Sequence, residues 1–118
     1  MNAKSPECYT TEPRARCLRV EVAAGRSLLL PLDQFVFAEL LSEDKQQTFR
    51  LVFATHEVLI SGHSLRRVEM AVHRLELSAI VKLPEKYQSL VAENQPTIQE
   101  IIVTESKPPD GKAQTALN

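Results

Sequence analysis

From residue 17 to residue 62 the apolar positions recur mostly at every second residue, the period of half-buried β-strands. In "LRVEV", Leu18, Val20 and Val22 share one face while Arg19 and Glu21 take the other. "AAGR" supplies a glycine turn and "SLLLPL" returns as a second strand. Pro31 has no N–H to give to a ladder, so it puts this strand at an edge or ends it. "QFVFAELL" reads as a third strand, the polar "SEDKQQ" as its turn, and "TFRLVFA" as a fourth, with Phe49, Leu51 and Phe53 on one face. In the next hairpin a four-residue loop, "ATHE", pairs Phe53 with Val58 and Leu51 with Ile60. All four then share a face, which a one-residue slip would destroy.

After Gly62 the period lengthens. Leu65, Val68, Val72 and Leu75 fall at i, i+3, i+7 and i+10, the stripe of an amphipathic helix reaching Leu75 or Leu77, with Ala71 on the same side. Ser64 stands where an N-cap belongs. "SAIVKL" fits a short strand or extended chain, Pro84 suits the first turn of a short helix "PEKYQSLVA", and "TIQEIIVT" is a last strand. The fold class expected is α+β: an antiparallel meander of about five or six strands, an open sheet or partial barrel, with one main amphipathic helix packed on it. Residues 1–16 and 105–118 mix Pro, Ser, Thr and charges with little apolar surface to offset the entropy of ordering. They are expected to be disordered tails around a single domain at 17–104.

Composition narrows the classes. A chain of 118 residues suits one domain, and 43% hydrophobic residues without tryptophan imply a largely aliphatic core. The net charge is −1, and residues 17–104 hold 9 basic against 11 acidic side chains, so only a local basic stripe could serve nucleic acid. No run approaches the ~18 apolar residues of a membrane span, and the N-terminal stretch has no apolar signal core. The expectation is a cytoplasmic protein with no membrane partner. Cys8 and Cys17 match no C-x-x-C spacing and read as two free thiols. The only glycines are Gly25, Gly62 and Gly111, too few and too scattered for a phosphate-cradling loop.

Gly62-His63-Ser64-Leu65, between a strand and a helix, resembles the nucleophile elbow of the α/β-hydrolases, whose usual form is G-x-S-x-G. The resemblance spans only these residues and implies Ser64 as nucleophile. It departs at Arg66, where that family has glycine, and at His73, the last histidine. His73 lies nine residues on in the same helix, ~13 Å of rise away from Ser64. Ser64 is therefore read as a cap rather than a catalyst. His56 and His63 sit ~23 Å apart on opposite faces of a strand, and His63 and His73 ~15 Å apart if helical, so no pair can share an ion. No metal, cofactor or catalytic residue is expected. Glu43 and Asp44 read as a solvated turn, and Glu39 as marking the exposed face of its strand or as a buried charge with a partner such as Arg50.

The helix face turned away from the core is the richest surface. Met70 and Leu77 lie only ~20° apart there, rimmed by Arg66, Arg67, His73 and Arg74. Adaptable Met beside Arg suits a protein partner. These six residues form the candidate interface of a small non-catalytic domain for protein interaction or self-association, with homodimers the commonest assembly. The edges marked by Pro31 and by "IIV" offer a second route. The alternative is nucleic-acid binding through Arg66, Arg67 and Arg74. Against it stand Glu69, Glu76 and the scarcity of aromatic residues for stacking bases.

Overall fold

The computed structural model describes residues 7–88, 90–91 and 94–105. The class is α+β, as the two periods imply, but among the described residues the strands number eight and divide into two four-stranded sheets. The first sheet has the order β1-β7-β2-β3, from β1 (Tyr9–Thr11), β2 (Cys17–Ala23), β3 (Arg26–Pro31) and β7 (Leu77–Val81). The second runs β4-β5-β6-β8, from β4 (Phe35–Glu43), β5 (Gln46–Phe53), β6 (His56–His63) and β8 (Thr97–Glu105). Helix α1 (Arg66–His73) joins β6 to β7, and the short α2 (Glu85–Gln88) lies between β7 and β8. None of the described helices is long and apolar enough to cross a membrane.

A single meander of five or six strands, open or partly barrelled, is thus corrected in two ways. β7, the ambiguous "SAIVKL", pairs parallel with β2, placing Ala79 opposite Arg19 and Ile80 opposite Val20. β1 lies inside the expected N-terminal tail, pairs antiparallel with β7, and brings Cys8 to zero exposure. Order reaches residues 7–11 because Val81 N donates to Cys8 O and Glu12 N to Glu76 O, while the Cys8 thiol donates to Pro96 O. The expectations for residues 1–6 and 106–118 lie outside the described residues.

The inward alternation is as the pattern implies. Leu18, Val20 and Leu30 come from one sheet, and Phe49, Leu51, Phe53, Val58, Ile60 and Ile98 from the other. Together with Val68, Ala71 and Val72 of α1 they form one buried cluster. Phe35 meets Phe53 edge to face at 5.6 Å. The β5–β6 register needs correction, since Leu51 faces Val58 and Phe49 faces Ile60. The connection is only Ala54 and Thr55, not four residues. The difference is two positions, which leaves every side chain on its face and so is invisible to a pattern of period two.

Helix α1 ends at His73, before the expected Leu75 or Leu77. Leu75 takes a left-handed conformation, φ 56°, its N–H donating to Val72 O, while Glu76 N donates to Ala71 O. These two bonds are the helix stop usually built on glycine. Leucine in that role meets a steric cost of roughly 1–2 kcal/mol.

Candidate docking groove

The strand-to-helix bend does have a strained serine: Ser64 sits at φ 54° between β6 and α1. It does not cap the helix, correcting the expected role. The residue at the cap position is Leu65, which has no side-chain cap bond, and Gln47 Oε1 accepts from Leu65 N at 2.6 Å. That N–H, directly after the serine, is the one an elbow would aim at an oxyanion. Beside it, His63 Nδ1 is 2.7 Å from Lys45 O and Nε2 is 3.1 Å from Gln99 Nε2. The pair of contacts is satisfied by one tautomer, in which Nδ1–H donates and Nε2 accepts. Neither nitrogen is left to take a proton from Ser64. Asp44, Lys45, Gln47, His63 and Ser64 line only an open hollow there. The exposed Thr55 Oγ1–His56 Nδ1 contact, 2.7 Å, joins chain neighbours beside a hairpin loop.

A more developed concavity has α1 itself as a wall. A groove of about 620 Å³ runs between the helix and β4. Arg66, Glu69, Met70 and His73 line it at i, i+3, i+4 and i+7, so a single helix stripe forms one wall. Phe35 and Ala38 of β4 form the other, with Phe49, Val72 and Leu75 completing it. Met70 is 42% exposed and Leu75 51%. Leu75 therefore carries two local costs at once, a left-handed backbone and an apolar side chain in water. Arg66 and Glu69 bridge at 3.6 Å along the helix, leaving a rim that is nearly neutral.

The groove opens onto a strand whose outer edge has no paired strand among the described residues. β4 is the terminal strand of its sheet and nine residues long, with a bulge between Phe35 and Phe37. Its outward side chains include Phe37, 44% exposed, and Leu41, 53% exposed. Glu39 is on this outer face, half exposed, opposite Arg50 of β5, with Arg50 Nη1 at 3.7 Å from its Oε1. Arg50 Nε also donates to Glu57 Oε2 at 2.7 Å, and its guanidinium lies 5.4 Å from the Phe37 ring centre. The Glu57 hydrogen bond, with both carboxylates, raises the Arg50 pKa further above its ordinary value.

The six candidate interface residues divide. Arg66, Met70 and His73 meet in the groove. Arg67 points elsewhere and donates to Gln95 Oε1 at 3.2 Å, while Arg74 is exposed just past the helix end. Leu77 is corrected outright: it is 1% exposed, the first residue of β7, because the chain has already left the helix. The other wall, Phe35 and Ala38, was missed. Its trace in the sequence is "FVFA", four apolar residues in a row, which breaks the alternation where β4 bulges. No family model, curated protein or solved structure matches the chain.

Proposed function

We propose that this protein is a non-catalytic binding module that docks a protein segment, its own kind included, in the α1–β4 groove. The observation that carries the reading is the coincidence of an apolar groove with a nine-residue strand edge along one wall that has no paired strand among the described residues. An extended segment laid against β4 gains main-chain hydrogen bonds and sends alternate side chains inward beside Phe35, Ala38 and Met70. Shape adaptation by Met70 suits such an occupant. The engaged imidazole of His63 and the occupied Leu65 N–H speak against acyl chemistry at Ser64.

Displayed random peptides selected on the folded protein test this. Binders are expected to alternate apolar and polar residues, and to lose at least tenfold in affinity to Met70→Glu, which puts a charge in the groove without touching the core. Failure to find any binder or self-association into the high micromolar range would refute the reading, as would binders indifferent to Met70→Glu.

A further inference from the structure

The four sheet edges are not equivalent. β1 is only three residues long, and β3 stops at Pro31. β8 is crossed near its start, where Leu83 N donates to Ile98 O. β4 matches β8 in length, nine residues, and also lacks proline, but over residues 36–43 it has neither a paired strand nor a main-chain hydrogen bond on its outer side among the described residues. Its charges, Glu39 and Glu43, point outward from the sheet rather than guarding the edge, which is the arrangement that leaves an edge open to another strand.

We propose that β4 pairs antiparallel with β4 of a second copy across a two-fold axis through Leu40, joining the two second sheets into one continuous sheet. The proposal rests on the docking reading and names its occupant. A register that keeps both buried faces on the same side must place a residue, not a gap, on the axis. An axis at Glu39 sets that carboxylate against its own copy, and one at Leu41 sets Glu39 against Glu43 twice; like charges directly opposite are destabilising. An axis at Phe37 or Ala38 drives the pairing through the bulge between Phe35 and Phe37. At Ser42 almost no strand remains to pair.

Leu40 on the axis avoids all of these conflicts. It places Glu39 opposite the partner's Leu41, Phe37 opposite the partner's Glu43, and Ala38 opposite the partner's Ser42. The main-chain groups agree. The hairpin closes Glu43 against Gln46 over the two-residue turn Asp44–Lys45, so Glu43, Leu41 and Glu39 face β5. Ser42, Leu40 and Ala38 then present their N–H and C=O groups to the open edge, and these are the residues the register pairs. The small net charge of −1 sets no general repulsion against association.

The register is tested by cysteine pairing on the outer face, in a Cys17→Ser background. Glu39 and the partner's Leu41 form a non-hydrogen-bonded pair with Cα atoms ~4.5 Å apart, within disulfide reach. A mixture of Glu39→Cys chains with Leu41→Cys chains is expected to give an oxidised heterodimer, while neither variant links to itself. Self-linking by Glu39→Cys or by Leu41→Cys would place the axis elsewhere and overturn the proposal. Sedimentation of the unmodified protein supplies an independent reading, with a dimer of the 13.3 kDa chain expected. Ser42→Pro removes one edge N–H and no β4–β5 main-chain bond, but it also removes the hydroxyl that accepts from Gln47 Nε2 at 2.9 Å. It is therefore read beside Ser42→Ala, which loses that contact alone. The proline variant should be a folded monomer by circular dichroism and the alanine variant a dimer. A dimer unaffected by Ser42→Pro would refute edge pairing. A monomeric wild type that still binds peptides in the Met70 groove would refute it too, and leave the docking function standing.

Discussion

Gly62→Ala separates this fold from generic expectation, because the general rule and the local geometry predict opposite signs. Gly62 lies on β6 without a left-handed backbone, so alanine restricts the unfolded chain and stabilises by about 0.4–1 kcal/mol in the ordinary case. A buried methyl adds up to ~0.8 kcal/mol more. Here, however, the new Cβ collides with the backbone carbonyl of Thr97 and lies 3.2 Å from Ile98 Cα. Those atoms are main chain and cannot swing aside, so β8 must retreat. Retreat strains the pairings Gly62–Ile98 and His63–Thr97, at about 1 kcal/mol for each hydrogen bond lost. Overpacking adds roughly 1–3 kcal/mol. The same segment accepts bonds from Leu83 N and the Cys8 thiol, which spreads the damage to both sheets. The net expectation is a loss of about 3 kcal/mol, or roughly 12–24 °C in Tm for a domain of this size. Urea and thermal unfolding followed by circular dichroism measure it. An alanine variant as stable as the parent, or more so, would show that β6 and β8 do not approach as described.

The strained bend and the two thiols allow further checks. Ser64→Ala should change stability by less than ~0.5 kcal/mol, since no cap bond is lost, and Ser64→Gly should exceed Ser64→Ala by about 1 kcal/mol at this left-handed position. A loss near 1 kcal/mol in Ser64→Ala would restore the capping role. Burial pushes the Cys8 thiol up to about 11, so in the native state a disulfide reagent at pH 8 should titrate one thiol, the exposed Cys17, and the second only on unfolding. Because the native value is raised, this thiol's contribution to stability is complete below its ordinary value near 9 and is lost as pH climbs through about 11. Cys8→Val should flatten stability across that window; an identical slope in the variant would assign the alkaline loss elsewhere.

Which side chains face inward was legible from residue types, because strand parity and the helix period are local. Leu18, Val20, Phe49, Leu51, Val58, Ile60, Val68 and Val72 all lie where the pattern puts them. What depends on distant partners was not legible. The two-residue offset between β5 and β6 preserves parity, so no hydrophobic count could detect it. Leu75 extends the helical period perfectly while the chain turns left-handed, with no glycine to announce the stop, and that hid Leu77 in the wrong element. β1 looked too polar to order because its support comes from β7, some seventy residues later. The groove was half legible: Arg66, Met70 and His73 were marked by their helix face, but Phe35 and Ala38 became its other wall only when α1 came to rest over β4.

The parallel pairing of β2 with β7 also fixes the order in which the molecule can assemble. The β4–β5 and β5–β6 hairpins close over two-residue connections, so their ladders form locally, although β6 still waits for β8. β2, made early, has only β3 to hold until the polypeptide has been extended through α1 to Val81, and β1 waits for the same strand. Such distant closures raise contact order and slow folding. During synthesis the β2–β3 ribbon therefore spends the longest time half-assembled, with Leu18, Val20 and Leu30 open to whatever it meets.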